Sequence, residues 1–132
     1  MTAPALRTFV IACSVLLLSL SVRAQTQSTG GQPTFSLYCA SCYGPAAKGD
    51  GPMAQVLTKR PADLTRIAQR NGGRYPADLV AKIIDGRSPV KGHGGGEMPV
   101  WGDAFAKSAD PEPASERIAR LVAYLESIQR QP

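Results

Sequence analysis

Apolar residues recur at helical spacing in several stretches of this chain, and nowhere do they alternate long enough to predict a strand. The strongest stretch runs from Ala114 to Arg130. Ile118, Leu121, Val122, Leu125 and Ile128 form one stripe there, and Glu116, Arg117, Arg120, Glu126 and Gln129 read as its polar face. Leu79, Val80, Ile83 and Ile84 repeat in the same way and predict a helix over Pro76–Asp85, with Gly86 as its stop signal. A third helix is predicted over Pro61–Gln69, from Ala62, Leu64, Ile67 and Ala68, and Asn71-Gly72-Gly73 ends it. Near the front, Pro33–Cys42 reads as a helix with Pro33 in its first turn and Phe35 and Tyr38 on one face. Short helical turns are expected at Met53–Leu57 and Gly102–Lys107.

Between these segments lie Gly/Pro-rich loops. Gly44–Gly51 carries turn chemistry. Ser88–Pro99, with Gly92 and the run Gly94–Gly96, has the composition of either a functional loop or a disordered segment. The pattern predicts an all-α chain of four to five short helices and no internal repeat. Helices this short are marginal alone in water. So thin a core calls for a second source of stability, such as a disulfide, a metal or a large apolar cofactor.

Composition refines the compartment. Met1–Ala24 has the parts of a secretory signal: Arg7, an apolar run from Phe9 to Leu20, and small residues in Val22-Arg23-Ala24. The run is short for a bilayer span, which takes about 20 apolar residues. Removing 24 of the 132 residues leaves 108, and loss of Arg7 and Arg23 lowers the formal charge from +5 to +3. Gln25–Gln32 is polar and reads as a flexible mature terminus, leaving one domain over residues 33–132. A periplasmic or otherwise exported protein is expected, with no stable membrane span once the signal is cleaved. The cations are scattered without interleaved aromatics, so nucleic acid is not expected as a partner.

Chemistry concentrates at Tyr38-Cys39-Ala40-Ser41-Cys42-Tyr43-Gly44. Cys-x-x-Cys-His is the attachment signature of a c-type haem, and here Tyr43 stands where that signature has His. Other readings of the pair remain open. A zinc site takes four ligands, and Cys39, Cys42 and the sole histidine, His93, supply three, so a carboxylate would have to complete it. A thioredoxin-like pair belongs beside a βαβ pattern that this chain lacks. In an oxidising compartment the two cysteines can form a plain disulfide. A second feature is Glu97-Met98-Pro99-Val100-Trp101-Gly102: the Met98 thioether is a soft donor suited to haem iron, and Pro99 fixes the backbone beside it. No general acid–base pair is evident; Asp50, Asp63, Asp85 and Glu97 read as caps and turns.

In order along the chain, Tyr38-Cys39-x-x-Cys42, Gly49-Asp50-Gly51, Pro61-Ala62-Asp63-Leu64, Ile84-Asp85-Gly86, Met98-Pro99-x-Trp101-Gly102 and the terminal helix with Tyr124 and Leu125 resemble a class I monohaem c-type cytochrome over Pro33–Ile128. The resemblance implies a small all-α fold around one covalent haem c. It implies terminal helices that cross, so that Phe35 and Tyr38 meet Leu121, Tyr124 and Leu125. Cys39 and Cys42 would form the thioethers, Met98 would be the distal axial ligand, and Trp101 and Pro99 would brace its loop. The proximal position falls on Tyr43.

Tyrosine ligates iron in some haem proteins as phenolate, and its oxygen reaches about 2 Å further from the backbone than an imidazole nitrogen does. A hard anionic donor favours ferric iron, so a reduction potential below that of a His/Met site is expected. His93, five residues before Met98, is either a surface loop residue or a substitute ligand on the distal side. The function implied is single-electron transfer between larger redox proteins of a respiratory or dehydrogenase chain, without enzyme chemistry. Two alternatives stand beside it. One is a haem with a labile Tyr43 side that binds a small ligand, senses it or turns over peroxide. The other is a haem-free exported helical domain with a Cys39–Cys42 disulfide.

Overall fold

A computed structural model describes residues 30–87 and 98–130. The leader read at Met1–Ala24, most of the polar segment after it, His93 and Glu97 lie outside the described residues. Those described are all-α, with no strand among them. The helices are α1 (residues 30–38), α2 (Ala40–Tyr43), α3 (Ile67–Arg70), α4 (Ala77–Asp85), α5 (Trp101–Ala106) and α6 (Ala114–Ser127), with 3-10 turns at Pro52–Gln55 and Leu64–Arg66. None is long and apolar enough to cross a membrane.

Helix α6 is the centre. Its stripe of Ile118, Leu121, Val122 and Leu125 is buried, and α4 and α5 pack against it through Val80, Ile84 and Phe105. Phe35 of α1, 1% exposed, sets its ring 5.4 Å from that of Tyr124. At Gly31 the α1 backbone comes so near α6 that any Cβ would run into the Arg120 carbonyl and the Tyr124 Cβ. That contact explains a departure from the sequence pattern. Composition places Gly30–Gln32 in a flexible terminus, yet these residues are helical. Glycine is a poor helix former by about 1 kcal/mol, and close packing on α6 outweighs the propensity.

The boundaries of α4 agree closely with the pattern: Pro76 precedes it, and Gly86 ends it in the left-handed conformation (φ 69°), its N–H donating to Lys82 O at 3.0 Å. Its inner face is narrower than the periodicity suggests, since Val80 and Ile84 are buried while Leu79 is 40% exposed. The stretch Pro61–Gln69 is not one helix. Pro61–Asp63 is not helical, Asp63 is extended, and its carboxylate accepts from the Thr65 N–H at 2.9 Å and the Thr65 hydroxyl at 2.6 Å, starting the turn that leads into α3. Gln129, read as polar surface, ties this segment to the end of α6. It accepts from Ala68 N–H at 2.9 Å and donates to Leu64 O at 2.8 Å and Leu125 O at 2.6 Å.

Candidate functional site

The sulfur pair lies where α1 gives way to α2. Cys39 continues the hydrogen-bond ladder of α1, donating to Phe35 O at 2.8 Å, but its backbone leaves regular helix there. Its carbonyl then accepts from Cys42 N–H at 3.2 Å and Tyr43 N–H at 3.0 Å. One turn of helix therefore separates the two cysteines, which are half-buried and not joined as a disulfide, and the Cys42 sulfur accepts from the Ser41 hydroxyl at 4.0 Å. Burial pushes the Cys39 thiol from 9.0 up to about 11, and the neighbouring charge of Cys42 adds to the rise.

The following loop closes the end of α2. Gly49 N–H donates to Tyr43 O at 2.8 Å and Gly51 N–H to Cys42 O at 3.1 Å, so the last carbonyls of α2 are satisfied. Gly51 fits only without a Cβ, being pressed against the carbonyls of Ala40 and Ser41. Gly49 (φ 75°) is packed on the Pro61 carbonyl, and Ala47, wholly buried at φ 58°, accepts from Leu64 N–H at 2.8 Å. A non-glycine residue in that region is strained and is held there by its surroundings. The motifs Gly49-Asp50-Gly51 and Pro61-Ala62-Asp63-Leu64 thus prove to be two sides of one contact.

A second interlock fixes the opposite wall. Asp85 at the end of α4 grips Arg87 through two side-chain bonds of 2.7 and 2.6 Å. Gly102 is buried directly against this pair, where a Cβ would lie 2.7 Å from both Asp85 Oδ1 and Arg87 Nε. Trp101 therefore starts α5 from a defined place. Its ring stacks on Phe105 at 5.4 Å and meets Tyr38 edge-on at 5.5 Å. The Tyr38 ring packs on Trp101 and Phe105 and meets α6 through Arg117, while the Phe35 ring meets α6 at Tyr124.

The Tyr43 hydroxyl points to the Met98 sulfur at 4.0 Å, across 55 residues of sequence. Burial, followed by the charges of Cys39 and Cys42, holds the Tyr43 phenol above its ordinary range, so it keeps its proton. The predicted residues Cys39, Cys42, Tyr43 and Met98 thus belong to one half-buried region. His93 lies outside the described residues. Among the described residues no three His, Cys, Asp or Glu side chains converge as a metal site would require.

Arg117 is the residue the sequence pattern misplaced. Read as polar surface, it is 4% exposed, its guanidinium 4.3 Å from the centre of the Phe105 ring and 5.3 Å from that of Tyr38. It donates to Ser108 Oγ at 3.0 Å and faces Asp110 at 3.5 Å. The available signal was its place beside Ile118 and one turn before Leu121, at the margin of the apolar stripe. A scan against protein-family models finds no match, and searches of curated proteins and of solved structures find none either.

Proposed function

We propose that this chain is a small exported electron carrier that holds one haem c through Cys39 and Cys42, with Met98 as one axial ligand and Tyr43 on the opposite side. The observation that carries this reading is the 4.0 Å separation of Tyr43 Oη and Met98 Sδ. The two side chains face one another, and a haem held by Cys39 and Cys42 would draw on both as donors to its iron. The donors suit the group as well: a soft thioether, a phenol known as a haem ligand, and two thiols one helical turn apart and not joined as a disulfide.

When bound, a haem supplies a one-electron couple. The chain's part is to tether it, exclude water and set its donors. Cys39 and Cys42 give the tethers. Tyr38, Trp101 and Phe105 give an aromatic wall continuous with the core. Ligation by Tyr43 requires release of the proton that burial favours, so this donor is the weaker of the two. A potential below that of a His/Met site follows from an anionic oxygen donor; potentiometric titration at or above the His/Met range contradicts it.

The same retained proton supports a second reading, in which the Tyr43 side is labile and the haem takes up a small ligand or peroxide. Carbon monoxide separates the two: rapid uptake by the reduced protein favours the second, and no uptake favours electron transfer.

The deciding experiment is co-expression with a c-type maturation apparatus, read by intact mass. Covalent haem adds roughly 600 Da at a Cys-x-x-Cys motif. Tyr43→His restores the full attachment signature and should load at least as well as the natural chain. Loading of Tyr43→His beside a natural chain with no added mass overturns the proposal for this sequence. Loss of two hydrogens on the mass scale would point instead to the haem-free disulfide form.

A further inference from the structure

We propose that Arg117 is the positioning residue of this site, setting where Met98 stands relative to Tyr43; the assignment rests on the reading of those two side chains as opposed donors. Both arms of the site are short and separately anchored. Tyr38 immediately precedes Cys39, and Trp101 and Phe105 follow Met98 by three and seven residues. Helix α6 contributes no donor, yet its Arg117 touches both arms. The guanidinium lies 4.3 Å from the Phe105 ring centre and 5.3 Å from that of Tyr38, whose own ring is 5.3 Å from Phe105. A cation against two rings is attracted by both faces, most strongly where water is excluded, and Arg117 is 4% exposed.

The orientation of the guanidinium is fixed from behind. Arg117 Nη1 donates to Ser108 Oγ at 3.0 Å, and Ser108 Oγ donates to Phe105 O at 2.7 Å, so the cation is tied through Ser108, two residues past α5, to a carbonyl of the last turn of that helix. Asp110 Oδ2, 3.5 Å away, supplies the counter-charge. An apolar residue of equal length would fill the space without these bonds. A lysine would keep the charge but lose the planar fork. Packing alone needs neither, so the geometry points to register: the cation keeps the α5 rings against Tyr38 and holds the Met98 segment over Tyr43.

The test uses the full exported chain, with or without porphyrin, under conditions where far-ultraviolet circular dichroism shows native helix. Limited peroxide oxidation is followed by peptide mass at Met98, with the exposed Met53 as internal reference. Tyr75→Phe serves as control, because it deletes a hydrogen bond from the Tyr75 hydroxyl to Val122 O of α6 (3.1 Å) without touching Arg117. In Arg117→Met the Met98-to-Met53 oxidation ratio should rise at least fivefold and the near-ultraviolet signal of Trp101, the sole tryptophan, should weaken. Arg117→Lys should fall between, and remains readable if Arg117→Met fails to fold. A ratio unchanged in folded Arg117→Met, or in Arg117→Lys where the other does not fold, overturns the proposal; so does an equal rise in Tyr75→Phe. Because the ratio is read on porphyrin-free chain as well, its failure is distinct from failure to load haem.

Discussion

Burial separates Cys39 from an ordinary thiol. Raised from 9.0 to about 11, it is almost wholly protonated at pH 8, and only thiolate attacks an alkylating agent. A rise of two units lowers the thiolate fraction about a hundredfold. Native-state alkylation of Cys39 at pH 8 should therefore be slower than in the urea-unfolded chain by roughly that factor, measured by peptide mass over time. Equal rates in the two states would show that the thiol is not held as described. At this scale much of the candidate site is legible in the sequence. Cys39, Cys42, Tyr43 and Met98 stand out by residue type and spacing, because donor chemistry is written in side-chain identity. Arg117 does not, since a charge at the edge of an apolar stripe reads as surface until the rings of Tyr38 and Phe105 fold around it.

Elements are legible where local signals agree with packing and illegible where contacts distant in sequence decide. Proline before and glycine after an apolar repeat place α4 almost to the residue. The Pro61–Gln69 stretch misleads because Asp63 turns its carboxylate on Thr65 and starts a 3-10 turn, while Gln129, about 60 residues away, satisfies the backbone that follows. Gly31 misleads for a related reason: its value lies in α6. Two glycine substitutions separate close approach from backbone strain. Gly31→Ala forces α1 off the Arg120 carbonyl and should cost about 1–3 kcal/mol, the range for overpacking. Gly72 stands at φ 66°, and a methyl group there would meet nothing within 4 Å, so Gly72→Ala should cost about 1 kcal/mol, from conformation alone. Urea denaturation at pH 7 ranks the two, and a smaller loss for Gly31→Ala would contradict the close crossing. Gln129→Ala, which leaves Leu64 O and Ala68 N–H without their partner, should lose about 1–3 kcal/mol in the same assay.

Over the whole molecule, the distribution of raised acids decides how stability responds to pH. Cys39 and Tyr75 both bind their protons more tightly when folded. The Tyr75 hydroxyl is held up by burial and by the nearby Glu126, and it donates to Val122 O. For such groups the unfolded chain releases protons first, so the stabilisation is complete below the unfolded values and is lost as pH rises through the folded ones. For Cys39 the loss starts near 9.0 and ends near 11, and two units correspond to at most about 2.7 kcal/mol. Asp63 acts on the acid flank. Burial raises its pKa, but the bonds from Thr65 and the charges of Arg130 and Arg66 outweigh that effect. Its contribution is therefore present above the usual carboxylate range and lost below it. A melting temperature level near neutrality should accordingly fall from about pH 9 upward in thermal scans, first through Cys39 and then through Tyr75. A thioether at Cys39 has no proton to release. If haem is attached as proposed, the decline should therefore begin about one unit higher, at the tyrosines, while Cys39→Ala in the haem-free chain should delay it in the same way. Identical alkaline profiles for the free-thiol and thioether forms would mean that Cys39 is not buried as its position at the α1–α2 junction indicates.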